Sequence, residues 1–214
     1  MLTSNVIASL KQISDAWPQS CPEGKADVSK WFSADHEKVF TRLLSKKPNG
    51  LYLELGTWTG VGSTAFVANK FPNMTLICID TFKGSSEHQR DPKQKRVAEK
   101  LWDHFCINRW IDRDRIYPIK APSVEALQRV DSAGLKPDFI YVDAAHEADA
   151  VFADVSTAIK LFPQAVLLGD DYVRPGQGHP GVYLGIDKAV KEKLIKPIEF
   201  KTLGRVWYLT CNLK

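Results

Sequence analysis

The sequence predicts an α/β protein in which a mostly parallel sheet lies between two layers of helices and ends in an antiparallel strand. Three observations carry this. Short apolar runs alternate with amphipathic stretches from Leu51 to Leu168, a Gly-rich turn joins the first run to the helix after it, and the chain closes on two runs only two residues apart. Strands separated by helices run parallel through right-handed crossovers, whereas strands joined by two residues permit only a hairpin.

Taken in order, residues 1–17 read as an amphipathic helix, with Val6, Ile7, Leu10 and Ile13 at helical spacing. Residues 18–30 are polar and broken by Pro and Gly, so 1–30 reads as an N-terminal helix and mobile linker ahead of one domain at 31–214. Ser33 is placed to cap a helix carrying Phe40, Leu43 and Leu44, which Pro48-Asn49-Gly50 stops. Strands are then expected at 51–55, 75–79, 115–119, 139–142 and 165–168, with helices at 61–71, 95–107, 123–130 and 147–161 between them. A helix near 186–194 leads to strands at 198–202 and 205–210, joined by Leu203-Gly204.

At 214 residues, the length suits one well-buried domain. Apolar residues make up 44% and charged residues 25%, and no apolar run approaches the roughly 20 residues of a membrane helix. The first residues lack a basic n-region, so a cytoplasmic address is expected. Cys21, Cys78, Cys106 and Cys211 show no metal-like spacing and read as buried thiols. The net charge is only +4, and residues 83–100 set six Lys/Arg against three Asp/Glu. A patch that small argues against nucleic acid as a partner and suits a solvated face or an attractor for an anionic substrate.

The first strand runs into Glu54-Leu55-Gly56-Thr57-Trp58-Thr59-Gly60-Val61-Gly62-Ser63, a turn that lets backbone pass close to a ligand at a helix N-terminus. Gly60 to Ala65 also fits the GxGxxA form of a dinucleotide fingerprint, but in that fingerprint the first Gly follows the strand almost directly. Here Glu54 and Gly56 come first, in the spacing E-x-G-x-x-x-G. Asp80 ends the second strand 18 residues beyond Gly62, where a carboxylate serves either as acceptor for ribose hydroxyls or as a turn cap.

Asp143 ends the fourth strand and Asp170-Asp171 the fifth, which in a parallel sheet puts all three on the edge that carries the Gly-rich turn. Converging carboxylates repel, and a hard divalent cation such as Mg²⁺ neutralises them. Consecutive residues of an extended chain point to opposite sides, so Asp170 and Asp171 share an ion only if the strand has turned there. The competing reading is of loop carboxylates bonded to backbone amides. His146, three residues past Asp143, is placed either to take a hydroxyl proton or to bond backbone at a helix start. His88 and His179 sit in polar loops. The Gly/Pro-rich loop 173–183 lies beside the acidic pair and is expected to shape an acceptor site.

With these residues in place, the sequence resembles the small class I S-adenosylmethionine-dependent O-methyltransferases, in particular methyltransferase family 24, and more distantly the macrocin-type sugar and catechol enzymes. LYLELGTWTGVGST, LICIDTFKGSSEH, PDFIYVDAAHEADAVFADVSTAI and AVLLGDDY carry the resemblance. It implies a Rossmann-like three-layer sandwich around a seven-stranded sheet whose last strand is reversed. It implies that Glu54, Gly56 and Gly60 meet the amino-acid part of S-adenosylmethionine, with Thr57, Gly62 and Ser63 in the same turn. Asp80 and Thr81 then meet the ribose and Ser123 the adenine, while Asp143 borders the cofactor as well as the metal. Asp143, Asp170 and Asp171 fall where metal-dependent relatives hold the ion, and His146 where the catechol enzymes carry a lysine. The expected reaction is methylation of a hydroxyl on a small molecule, with self-association into a homo-oligomer left open. An NAD-linked oxidoreductase is the first alternative and would need a Gly-rich fingerprint directly after the strand. A nucleic-acid methyltransferase is the second and goes with an Asn/Asp-Pro-Pro-aromatic motif, where this chain reads Asp143-Ala144-Ala145-His146. The same fold without turnover is a third.

Overall fold

In the computed structural model, residues 3–173 and 179–211 are described. Helices α1 (Ser4–Ile13) and α2 (Ala34–Leu44) precede β1 (Leu51–Leu55), and α3 (Ser63–Lys70) leads to β2 (Thr75–Asp80). Three helices, α4 (Ser86–Arg90), α5 (Pro92–Ala98) and α6 (Leu101–Arg109), then separate β2 from β3 (Ile116–Lys120). The alternation continues through α7 (Ser123–Ser132), β4 (Phe139–Val142), α8 (Ala148–Leu161), β5 (Val166–Gly169) and α9 (Pro180–Lys191), and closes with β6 (Phe200–Leu203) and β7 (Val206–Leu209).

The seven strands form one sheet in the order β3-β2-β1-β4-β5-β7-β6. The first five are parallel, and β7 enters between β5 and β6, antiparallel to both. The reversed last strand is the one expected. Its hairpin turns at Gly204-Arg205 rather than Leu203-Gly204, because Leu203 still pairs with Val206 and Gly204 takes the left-handed conformation at φ 57°.

Every residue of β1 is buried because helices cover both faces of the sheet. Alternation along the strands divides the core in two. Leu53 and Leu55 join Leu10, Leu127, Val155 and Ile186 on the face of α1, α7, α8 and α9. Tyr52 joins Phe40, Val67 and Phe105 on the face of α2, α3 and α6. Cys78 and Cys106 are buried as expected, but Cys21 is only half-buried in the segment before α2 and Cys211 is exposed beyond β7, since neither lies within a helix or strand packed on the core.

Two helices depart from their expected bounds. The helix expected at 95–107 is broken between Ala98 and Leu101, because Asp91 caps α5 through Lys93 and Gln94 and starts it early at Pro92. Likewise α9 starts at Pro180, six residues ahead of the expected position, with Pro at its first turn. No helix among the described residues is long and apolar enough to cross a membrane.

Candidate functional site

The Gly-rich turn is held by its own backbone geometry. Gly56 has φ 86° and donates its amide to Ile79 O at 2.8 Å, and a Cβ there would collide with the Asp143 carbonyl oxygen. Trp58 (φ 50°) and Phe82 (φ 53°) also sit in the left-handed region, where a large side chain is strained. Asp80 secures both: Oδ2 accepts from the Trp58 amide at 2.9 Å and Oδ1 from the Phe82 amide at 2.7 Å. Burial raises the Asp80 pKa, and these amides oppose the rise. With the Thr57 and Thr81 amides also acting on its carboxylate, Asp80 is a turn cap at the end of β2.

Glu54 has no exposed surface. It shares strand parity with Tyr52, which turns it to the α3 face, where its carboxyl accepts from Ser63 Oγ and, at 2.8 Å, from Thr64 Oγ1. Burial pushes its pKa up to about 7 against the pull of these hydroxyls. The carboxyl thus ties the start of α3 to β1 and lies beneath the turn.

A cleft of about 360 Å³ opens at the carboxyl ends of β1 to β4. Of the residues singled out in the sequence, Gly56, Asp80, Thr81, Ser123 and Asp143 line it, together with Trp58. Thr57, Gly62 and Ser63 instead line a crevice of about 40 Å³ that shares Gly56, Trp58 and Asp143 with the cleft and is closed by residues 29–32. Gly60 and Glu54 line neither, Gly60 being packed against the side chains of Phe105 and Arg109. The indole of Trp58 stacks on His88 with centroids 4.0 Å apart, and Trp31, 57% exposed, stands 6.0 Å from Trp58.

At the neighbouring acidic edge the two consecutive aspartates part company. Asp170 turns inward to His36, whose Nε2 lies 2.9 Å from Oδ2, off the axis of a well-directed hydrogen bond. The Ser33 amide donates to His36 Nδ1 at 3.1 Å, which in the neutral ring leaves the hydrogen on Nε2, facing Asp170. Asp171, at φ 59°, faces the other way. Its carboxylate meets His146 Nε2 at 3.1 Å and His179 Nε2 at 3.9 Å, and it pairs with Arg205 from the last hairpin. Glu87 closes the far side of the two rings, 3.0 Å from His146 Nδ1 and 3.3 Å from His179 Nδ1. Burial resists ionisation of Glu87, but the bonds from His146 and His179 outweigh it and hold the carboxyl below its ordinary range.

Among the described residues, the donor atoms that come within 4.8 Å of one another are those of Asp143, His146 and Asp171, and separately those of Glu87, His146 and His179. Asp170 stands in neither group, so the three expected aspartates do not converge; an imidazole takes the place of the third carboxylate. Burial first, and the Asp170 charge second, raise the Asp143 pKa well above the usual carboxylate value. Such a carboxyl gains from a cation beside it. His36 and Glu87 escaped the sequence reading because they come from α2 and α4, far along the chain, and neither stands in a recognisable spacing. Of the expected loop 173–183, residues 174–178 lie outside the described residues, residues 180–183 belong to the first turn of α9 rather than to a loop, and His179 between them joins the cluster.

A family model for a methyltransferase domain, that of methyltransferase family 24, matches residues 53–172. Among solved structures, the calicheamicin methyltransferase CalS11 is 16% identical over 82% of this chain and 77% of its own, with a TM-score of 0.54. An O-methyltransferase from Bacillus cereus, solved with S-adenosylhomocysteine, is 18% identical over 98% of this chain and 92% of its own, with a TM-score of 0.52. The MycE methyltransferase of the mycinamycin pathway, solved with Mg and S-adenosylhomocysteine, is 17% identical over 80% of this chain, with a TM-score of 0.54. The match spans 48% of that protein's length. At such identities these structures share the fold. No curated protein matches the sequence.

Proposed function

The chain belongs to methyltransferase family 24 of the class I S-adenosylmethionine-dependent methyltransferases, and we propose that it methylates a hydroxyl of a small molecule, assisted by a divalent cation. The observation that carries this reading is that the cleft under the Gly-rich turn and the group Asp143, His146 and Asp171 share one residue, Asp143. A methyl donor in the first therefore lies against an acceptor in the second.

In this reading Gly56 gives the cofactor's amino-acid part a close approach to backbone, Asp80 and Thr81 border the ribose hydroxyls, and Ser123 borders the base. Gly60, Gly62, Thr57 and Ser63 shape the turn around Gly56, and Glu54 braces it from below. S-adenosylmethionine would supply an electrophilic methyl group for transfer to the acceptor oxygen, with a neutral thioether as the leaving group. Asp143 and Asp171 would offer their carboxylates to a divalent cation, which leaves His146 Nε2 for the acceptor proton. Such a cation would make the acceptor hydroxyl more acidic. His146, braced at Nδ1 by Glu87, presents Nε2 toward the acceptor edge and takes up the hydroxyl proton. The walls of the cleft orient the two reactants and exclude water, which is the larger part of the protein's contribution.

Isothermal titration with S-adenosylmethionine and with NAD, each with and without Mg²⁺, tests the reading. Saturable binding of S-adenosylmethionine alone is expected, followed by turnover on hydroxylated acceptors. Binding of NAD in its place would overturn it.

A further inference from the structure

The histidine cluster has a second side, at the Nδ1 atoms of its rings, that serves the proposed reaction only as a brace. The rings of His146 and His179 lie side by side with centroids 3.9 Å apart, and matching edges face the same partners. Both Nδ1 atoms are turned to Glu87, at 3.0 and 3.3 Å, and both Nε2 atoms to Asp171, at 3.1 and 3.9 Å. Three separate elements supply the group: Glu87 lies on α4, His146 between β4 and α8, and His179 directly before α9. Glu87 is exposed and the two rings are half-buried, so the group is within reach of an ion in solvent.

Two imidazole nitrogens and one carboxylate oxygen form a donor set unlike the oxygen pair of Asp143 and Asp171. Magnesium prefers oxygen in an octahedron, whereas the softer Zn²⁺ takes nitrogen and completes a tetrahedron with three protein donors and a solvent molecule. Zinc bonds of about 2.0–2.1 Å set the ligand atoms of a tetrahedron roughly 3.4 Å apart. Glu87 already keeps close to that separation from both rings. A metal-bound imidazole ordinarily gives its other hydrogen to a carboxylate, and Asp171 already stands behind both Nε2 atoms. We propose that Glu87, His146 and His179 form a binding site for Zn²⁺, and that zinc there withholds His146 from the reaction. The second half rests on the reading of His146 as proton acceptor given above. Ligated at Nδ1, the neutral ring carries its one hydrogen on Nε2 and donates it to Asp171, which leaves Nε2 no lone pair for the acceptor hydroxyl. The ring gains and loses no net proton, so removing zinc restores the acceptor nitrogen.

The test titrates Zn²⁺ calorimetrically at saturating Mg²⁺ against the wild type and His179→Gln. In parallel, Co²⁺ is added for its visible absorption, which is intense in a four-coordinate site, and NMR of isotopically labelled histidine rings locates the His146 hydrogen. The wild type is expected to bind zinc, to give the four-coordinate cobalt band, and to hold the His146 hydrogen on Nε2 only when zinc is present. His179→Gln, which keeps a polar side chain before α9, is expected to weaken zinc by at least about tenfold and to lose the cobalt band. Should that variant not fold, Glu87→Gln is scored by the same two readings. Absence of zinc binding in the wild type, or an unchanged affinity and cobalt band in the folded variant, would overturn the inference. Displacement of zinc by rising Mg²⁺ would do so too, since it would place the ion on Asp143 and Asp171. Zinc bound with His146 Nε2 still free of hydrogen would overturn the withholding step. A hydrogen found on Nε2 in the zinc-free protein sinks instead the reading of His146 as proton acceptor, while zinc affinity and the cobalt band still decide the metal site.

Discussion

Glu54 has both carboxyl oxygens committed to hydroxyls at the start of α3, and burial raises its pKa from 4.5 to about 7. Between those two values the unfolded chain is ionised while the folded one keeps its proton. Its contribution to stability is therefore greatest below pH 4.5, falls as pH rises to about 7, and stays low above that. Comparing urea midpoints at pH 5 and pH 8, the wild type should lose up to about 3 kcal/mol relative to Glu54→Gln, and parallel profiles would refute the assignment. Asp143, Asp171 and His146 were legible as a group because strand ends and a three-residue offset place them by rule. That Asp170 would leave the group for His36 was not, since it depends on the left-handed turn at Asp171 and on a histidine 134 residues earlier in the chain. Strand parity was available to show that Glu54 faces α3, because Tyr52 is plainly a core position.

At the scale of elements, the turn between β1 and α3 is a left-handed corner wedged against the chain beyond β4. Gly56→Ala would drive a Cβ into the Asp143 carbonyl and strain the backbone. It is expected to cost about 1–3 kcal/mol in thermal unfolding and to remove cofactor binding; a variant with native affinity would show that the turn tolerates displacement. The elements best foreseen were β1, β4 and α8, whose apolar spacing is unbroken. The helix expected at 95–107 was misjudged because the cap at Asp91 and the Pro92 start compete with periodicity and win.

For the molecule as a whole, the topology follows from connection lengths, and the strand order adds what they leave open: β7 pairs with β5 and leaves β6 at the edge. The insertion brings Arg205 onto Asp171, so the last hairpin contributes to an edge built by strands far earlier in the chain. Arg205→Ala should leave cofactor affinity unchanged while altering Mg²⁺ affinity by several-fold, as read by titration; no change in metal binding would detach the hairpin from the site. Trp207 lies fully buried over Gly169, and Trp207→Ala is expected to cost about 3–5 kcal/mol in chemical denaturation. The same strand order sets a schedule for synthesis. Thirty-six residues separate the end of β5 from the start of β7, so on the ribosome the buried strand β5 waits roughly two to seven seconds with one edge open. During that interval the nascent chain presents a row of unpaired amides to its neighbours, and chaperone dependence in translation should concentrate there.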